Sequence, residues 1–505
     1  MQAEQLEQLM LQKNDINIFD IFAILYAYCN ARFSAIERSL RQVDIYRAVE
    51  SKALYFENTV LPPIERCLFP LDLESRTLLL SKLRNTDNQN SNELQFYAVL
   101  RAIDSAYGNM VAGSRNRWNF TELPPQLNLN TDLGRVYHKQ PSPVYPLIER
   151  HFGEYFAPGR KANWIRKGID VGVPNLRYYL DHFACLRNTN GYDVDFGVLD
   201  SSISQCFPAD LAECRIGLVP LIDQFEQFDI KCFDLDSQNK TPFRFMGLKE
   251  PKRVANEAIA ALKRLSDKGA TIVILPELCV PGVVRKAIAD GLKNDLFPNV
   301  KMVIAGSFHD QHQQGSDWCN IAYVLGPGGQ QLWQQKKMQP YTCMHYEAQR
   351  ISYLANLANS DLHEDISTSD PIIVVRDTPL GRMVVLICRD LLPNHVYQEI
   401  LFDLGVNFIC TPALCSTLEP EFTLAAYRFA VQSQAITLLS SACAPARESH
   451  AGINSLVKVS FAIFPGFPAV RWFYCDIPPG ECTYRKCSDD FIVQLGDWPR
   501  RFEPI

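Results

Sequence analysis

From Cys214 onward the chain is built of short Val- and Ile-rich runs separated by helical patterns, and this feature constrains its fold more than any other. The runs are Arg215-Ile-Gly-Leu-Val219, Thr271-Ile-Val-Ile-Leu275, Val300-Lys-Met-Val-Ile-Ala305, Ile321-Ala-Tyr-Val-Leu325, Pro371-Ile-Ile-Val-Val375, Met383-Val-Val-Leu-Ile387, Val406-Asn-Phe-Ile-Cys410 and Ala435-Ile-Thr-Leu-Leu439. A strand with one face in water alternates apolar and polar residues, so runs with little alternation belong to strands covered on both faces or packed sheet to sheet. Between two of them, Ala255, Ala258, Ile259, Leu262 and Leu265 recur at helical spacing, and Gly269 follows where a helix usually stops. Residues 212–480 therefore read as one α/β domain of a size that suits two packed sheets with helices outside. Residues 481–505 read as a C-terminal extension.

The first 205 residues have a different texture. Ile18-Phe19, Phe22-Ala23 and Tyr26-Ala27 recur at helical spacing while Ile24, Leu25 and Tyr28 fill the other face, the mark of a buried helix. Ile36, Leu40 and Val43 continue that spacing with charged residues between them. A mainly α-helical domain is expected over residues 1–205, broken by the Pro/Asn-rich loop Leu123-Pro-Pro-Gln-Leu-Asn-Leu-Asn130. Arg115, Arg117, Arg160 and Lys161 read as a solvated basic face, and no catalytic motif is recognised in this region.

A net charge of −6 argues against a nucleic-acid surface as the dominant feature. The sixteen cysteines are scattered singly, many in apolar runs such as Tyr28-Cys29 and Ile409-Cys410, so they read as reduced core thiols of a cytoplasmic protein. Cys482 and Cys487 lack a second His/Cys pair that would complete a zinc site. The acidic first residues and the absence of a long apolar run point to neither secretion nor membrane spanning.

Three chemically useful groups fall at strand ends. Glu277 follows its strand in Leu275-Pro-Glu-Leu-Cys-Val-Pro-Gly282, Lys337 lies just past a strand in Gln335-Lys-Lys-Met-Gln-Pro340, and Cys388 closes the run Met383 to Ile387. Taken singly, each has an ordinary structural explanation as a solvated acid, a solubilising lysine or a packed thiol. Converging in one cleft, they form a thiol nucleophile, a carboxylate to take its proton and later activate water, and an ammonium to face the developing negative charge. An ammonium close by also favours a thiolate, which lowers the thiol's pKa from its usual ~8.5.

These segments, in this order, resemble the nitrilase superfamily of carbon-nitrogen hydrolases. Leu275-Pro-Glu277-Leu is similar to that family's glutamate segment. Ala305-Gly-Ser307, Asn320-Ile-Ala-Tyr-Val and Gly326-Pro-Gly-Gly329 resemble the strands and hairpin before its lysine, and Lys337-Met-Gln-Pro340 resembles the lysine segment. Gly381 to Cys388-Arg-Asp390 resembles the nucleophile segment, and Glu347 stands where a second, supporting glutamate often occurs. The resemblance implies a four-layer αββα sandwich over residues 212–480, a cofactor-free Glu277, Lys337, Cys388 triad, and homo-oligomers formed through paired sandwiches. Its spacing favours Lys337 as the lysine that enters the pocket, while a one-residue change of register would put the adjacent Lys336 there.

Arg389-Asp390 after the cysteine leans toward an amide or carbamoyl substrate, because nitrile-cleaving members generally carry Trp-Glu there. Arg389 has two readings: contact with a substrate carboxylate, or an ion pair with Asp390 or Glu421. Ser440-Ser441 replaces the Asn that members often carry after the last central strand. The expected function is cysteine-dependent hydrolysis of a small non-peptide amide through a thioester, with transfer to an amine as a variant. The alternative, motivated by the large first domain, is a catalytically silent interaction module in a multi-component or defence system, with a protein partner for residues 1–205.

Overall fold

A computed structural model describes residues 17–62, 71–84, 91–115, 144–146, 176, 180, 183–185, 192–208, 211–236, 238–311, 317–357, 360–393, 395–433, 435–449, 457–465, 470–475 and 491–495. Two compact units emerge, one of residues 1–189 with 399–405 and one of residues 190–398 with 406–505.

The first unit contains helices α1 (Ile18–Ala31), α2 (Phe33–Leu40), α3 (Val43–Thr59), α4 (Leu73–Arg84) and α5 (Ser91–Arg115), and an antiparallel pair, β1 (Val144–Pro146) with β2 (Phe183–Cys185). Asn17 starts α1 by accepting the Phe19 and Asp20 amides at 2.9 and 3.0 Å, while Asp20 accepts the Asn17 amide at 3.0 Å. This reciprocal capping satisfies backbone donors that the first turn leaves without helical partners. As its all-round apolarity predicts, α1 buries Phe19, Phe22, Ile24, Leu25 and Tyr26 together. Phe183 of β2 sets its ring edge against Phe19 and Phe22, and the buried Asp104 of α5 accepts the Phe183 amide at 2.8 Å. The loop at 123–130, and Arg117, Arg160 and Lys161, lie outside the described residues; Arg115 ends α5.

In the second unit all eight runs read from the sequence are strands. In chain order the strands are β3 (Asp193–Val198), β4 (Arg215–Leu218), β5 (Phe228–Cys232), β6 (Thr241–Leu248), β7 (Ala270–Ile274), β8 (Met302–Gln311), β9 (Trp318–Leu325) and β10 (Gln331–Lys336). They continue with β11 (Thr342–Cys343), β12 (Leu362–Glu364), β13 (Ile372–Thr378), β14 (Gly381–Val385), β15 (Phe408–Ala413), β16 (Ile436–Ser441), β17 (Val457–Ile463), β18 (Val470–Cys475) and β19 (Ile492–Gln494). One sheet has the order β10-β9-β8-β7-β4-β19, and a second has the order β18-β17-β16-β15-β14-β13-β3. The two pack face to face through β7, β8 and β10 on one side and β13 and β15 on the other. Helix α6 (Pro251–Asp267), ended by Gly269 at φ 82°, covers the first sheet, and α8 (Glu421–Gln432) covers the second; α7 (Gly282–Lys293) packs beside α6. The unit is therefore a four-layer αββα sandwich. A smaller sheet, β11-β12-β6-β5, stands beside it.

Buried Gln335 joins the two large sheets. Its side-chain nitrogen donates to the Ile372 carbonyl at 2.8 Å, and its oxygen accepts the Val374 amide at 2.9 Å. Because both ends of the amide are paired, the group sits between two apolar faces without an orphaned donor.

The boundaries differ from the sequence reading at both ends. Strand β3 lies inside the expected first domain of residues 1–205, yet it pairs in parallel with β13 from Asp193↔Ile372 to Val198↔Asp377. As a half-exposed edge strand bearing Asp193 and Asp195, it lacks the apolar run that marks a central strand. Within the expected C-terminal extension, residues 492–494 form β19, which pairs antiparallel with β4 at the end of the six-stranded sheet, so this segment belongs to the sandwich. Trp472, Tyr474 and Cys475 belong to edge strand β18, while Cys482 and Cys487 lie outside the described residues.

The strand that carries Cys388 begins in a tight hairpin. Gly381 sits at φ 122°, and a Cβ there would lie 2.2 Å from Asn407 Oδ1, the atom that accepts the Arg382 amide at 2.9 Å. Arg382, fully buried, pairs through two nitrogens with Asp377 at 2.7 and 3.0 Å and lies over the Phe196 ring at 4.7 Å. Gly381→Ala combines a disfavoured backbone conformation with a steric clash, so it is expected to destabilise this unit by about 2 kcal/mol or more, read as a lowered unfolding midpoint in denaturant.

Candidate active site

Each side chain of interest sits where a strand stops. Pro276 ends the ladder of β7 and Glu277 follows, with Leu278 in the left-handed region at φ 58°. Gly306 of β8, at φ 56°, allows this turn, because a Cβ on it would lie 2.1 Å from the Pro276 carbonyl oxygen. Lys337 follows β10, with its amide donating to the Asn320 carbonyl at 2.8 Å. Its side chain is buried, whereas that of the neighbouring Lys336 is only half-buried. Cys388 follows β14 and opens the short 3-10 turn Cys388–Leu391 at φ 46°. Left-handed backbone at a residue with a side chain costs about 1–3 kcal/mol and persists only where the surroundings enforce it.

The ammonium of Lys337 lies between two carboxylates, 2.7 Å from Glu277 Oε1 and 2.6 Å from Glu364 Oε2. Asn320 spans the same pair, donating from Nδ2 to Glu277 Oε1 and to Glu364 Oε1 at 2.9 Å each. Glu364 also accepts the Tyr341 amide at 2.8 Å and meets His309 Nε2 at 3.0 Å. The Phe245 amide donates to His309 Nδ1 at 3.0 Å, so Nδ1 carries no proton and Nε2 is the ring's donor to Glu364.

Sequence reasoning missed Glu364, His309 and Asn320 as site residues, although Asn320 begins one of the segments that carry the family resemblance. The carboxylate that shares Lys337 with Glu277 is Glu364; Glu347, expected in the supporting place, lines the same cavity and accepts from the Tyr341 hydroxyl at 3.2 Å and the Met344 amide at 3.1 Å. Glu364 terminates a strand of three residues, too short to show periodicity. Its place between β11, which follows the lysine segment, and β6 brings it to the lysine, with Glu364 and Tyr341 exchanging backbone and side-chain hydrogen bonds.

Asp390 and Arg389 separate in role. The Asp390 carboxylate accepts the Met338 amide at 3.1 Å and the Gln339 amide at 2.9 Å, which ties the chain after Lys337 to the chain after Cys388. Arg389 lines a cavity of about 390 Å³ together with Glu277, Lys337 and Glu364. Among the described residues Arg389 makes no ion pair with Asp390 or Glu421.

The charges of the site follow from burial and neighbours. Burial alone would strip Lys337 of its proton, but Glu277 and Glu364 together outweigh it and hold the ammonium charged beyond the ordinary lysine range. Burial pushes Glu364 up, yet Lys337 and His309 hold it well below the usual carboxylate range. Glu277 stands above that range, raised first by burial, with Lys337 opposing and Glu364 assisting. The Cys388 thiol is raised well above its usual value by hydrogen bonding with Cys415, then by burial and Glu277, with Lys337 opposing. The lysine's pull toward a thiolate is thus outweighed by the Cys415 hydrogen bond, burial and Glu277.

No family model matches the sequence, and no curated protein matches it. Among solved structures the chain is similar to a double mutant of the amidase from Nesterenkonia sp. AN1 in complex with acrylamide, at 13% identity, covering 54% of this chain and 90% of that one with a TM-score of 0.36. It is likewise similar to a cysteine mutant of that amidase, described as from the nitrilase superfamily, at 14% identity over 53% of this chain and 92% of that one, TM-score 0.35. These similarities span about half of this chain and are too distant to assign it a reaction.

Burial raises the Asp390 carboxyl to about 7, against the backbone donors and Lys337, which favour its charge. With an unfolded value near 3.9, the native protein binds the extra proton between roughly pH 4 and 7. The stability this group contributes is thus present at low pH and lost as the pH rises through about 7. Asp390→Asn is expected to flatten the dependence of the thermal midpoint on pH across that window.

Proposed function

We propose that the chain hydrolyses a non-peptide carbon-nitrogen bond in a small amide or carbamoyl compound through a thioester on Cys388. The observation that carries this reading is a thiol on a left-handed strand end, hydrogen-bonded with Glu277 and within electrostatic reach of a buried ammonium that two carboxylates hold in place. The Cys388 proton passes to Glu277 as sulfur bonds to the substrate's carbonyl carbon, and Lys337 faces the oxygen that becomes negative. An ammonium has three N–H donors; the two engaged by Glu277 and Glu364 leave the third for that oxygen. Collapse breaks the C–N bond as Glu277 returns the proton to the leaving nitrogen. Water then gives a proton to Glu277 as its oxygen bonds to the thioester carbon, the C–S bond breaks, and the proton returns to sulfur.

The elevated pKa of Glu277 suits a group that takes a proton and gives it back. Arg389-Asp390, by its resemblance, supports amides or carbamoyl compounds over nitriles. Self-association through the sandwich belongs to the same proposal, supported by the apolar stripe Leu424, Tyr427 and Val431, exposed to 63, 45 and 38% at helical spacing along α8. So does a cytoplasmic setting, where a reducing pool keeps a nucleophilic thiol free; every described cysteine is a free thiol. No helix among the described residues is long and apolar enough to cross a membrane.

Ammonia release from a panel of small aliphatic amides and N-carbamoyl compounds, with intact-mass detection of an acyl adduct on Cys388, tests the reaction. Cys388→Ala, Glu277→Gln and Lys337→Met are each expected to lower kcat/KM by about a thousandfold or more. If no member of the panel releases ammonia or leaves an adduct, hydrolysis is overturned. Full biological activity of Cys388→Ala would instead favour an interaction module.

A further inference from the structure

One buried titratable side chain at the site has no part in the reaction as written. His309, on β8, meets Glu364 through Nε2 at 3.0 Å, while its Nδ1 accepts the Phe245 amide at 3.0 Å. That amide fixes the tautomer, so Nε2 carries the proton and points it at the carboxylate. The Phe245 ring also stands edge-on to the imidazole, 5.8 Å between centroids, and lines the cavity. The histidine is thus held from both ends, by the cavity wall on one side and by the carboxylate on the other.

The two glutamates are filled differently. Glu364 accepts from His309 and Asn320 on Oε1 at 3.0 and 2.9 Å, and from Lys337 and the Tyr341 amide on Oε2 at 2.6 and 2.8 Å. A carboxylate has about four lone-pair sites, so no place remains for a proton unless a donor leaves. Glu277 accepts Lys337 and Asn320 on Oε1 alone, at 2.7 and 2.9 Å, and is hydrogen-bonded with Cys388. Its second oxygen has room for the proton that the thiol gives up. Without this asymmetry that proton has an escape route. As the Lys337 ammonium releases one proton to Glu364 it can take another from Glu277, which leaves Lys337 charged, Glu277 ionised and Glu364 protonated. The leaving nitrogen then has no acid beside it.

We infer that His309 is a positioning residue that makes Glu277, and not Glu364, the keeper of the thiol proton. By donating from Nε2 it occupies the place on Glu364 Oε1 where a diverted proton would settle, and it acts only through that carboxylate. This rests on the hydrolase reading above. Besides His309, the titratable groups facing the two glutamates are Lys337, Cys279, Cys388 and Asp390, with Glu347 and Arg389 on the cavity wall. Of these only Lys337 donates to Glu364.

The test uses the full-length protein and two variants that each keep one end of the imidazole's bonding. In His309→Gln the side-chain nitrogen stands near the place of Nε2 and still donates to Glu364. In His309→Asn the side-chain oxygen stands near the place of Nδ1 and still accepts the Phe245 amide, but the donor to Glu364 is gone. With the best amide of the panel, His309→Asn is expected to lower kcat about ten- to a hundredfold with little change in KM, the worth of a hydrogen bond to a charged group. Because the glutamate pair then binds its proton at higher pH, the acid limb of the kcat/KM profile is expected to move up by about one pH unit. His309→Gln should recover most of the rate and return the limb. Carboxamidomethylation of Cys388 by iodoacetamide, followed by peptide mass, reads the same limb without a C–N bond being broken. If no amide is turned over, the hydrolase reading fails and the alkylation limb still decides the role of His309. An unmoved limb in His309→Asn overturns the inference. So does a displacement in His309→Gln as large as that in His309→Asn or larger, the pattern of a merely structural bond to Phe245. If His309→Asn does not fold, His309→Met, which also lacks the donor, is read in its place.

Discussion

The Lys337 ammonium held between Glu277 and Glu364 is the interaction on which the rest of the site depends. Burying three charged groups is costly, and removing one member of such a set leaves an uncompensated charge worth about 3–5 kcal/mol. Here each group is satisfied further. Asn320 bridges both carboxylates, the Tyr341 amide and His309 serve Glu364, and the backbone of Asn320 receives the Lys337 amide. The ensemble holds one carboxylate, Glu364, well below the usual range and leaves the other, Glu277, with a raised pKa beside the thiol. Two chemically identical side chains thereby acquire different proton affinities through their surroundings alone.

Much of this architecture was legible in the chain. Central strands buried on both faces are almost wholly apolar, so β4, β7, β8, β9, β13, β14, β15 and β16 announce themselves. Glu277, Lys337 and Cys388 stand at the ends of such strands or just past a hairpin, where loop chemistry on a rigid scaffold is expected. Strands β5, β6 and β10 carry charged or amide side chains on one face, and β3, β18 and β19 lie at or next to sheet edges, so periodicity alone did not reveal them.

The unread part of the site has the same cause. Glu364 and His309 are brought to Lys337 by the pairing of β12 with β11 and β6 and by the reach of β8 past its apolar portion. Both are tertiary facts with no local signature. Glu347 illustrates the opposite case: an acid close to the lysine in sequence caps its own short turn and stands on the cavity wall. Sequence distance from a functional residue is a poor guide once a chain leaves one sheet and enters another.

The carboxylates and the lysine are far apart along the chain, with Glu277 and Lys337 separated by 60 positions and Lys337 and Glu364 by 27. They issue from two different sheets, and the thiol comes from a third. No hairpin or fragment of the unit contains the assembly, and closing each of these loops costs chain entropy that is recovered only when the sheets have packed. The chemistry of the cavity is thus a late product of folding, and its presence in a preparation reports that all three sheets have found their register.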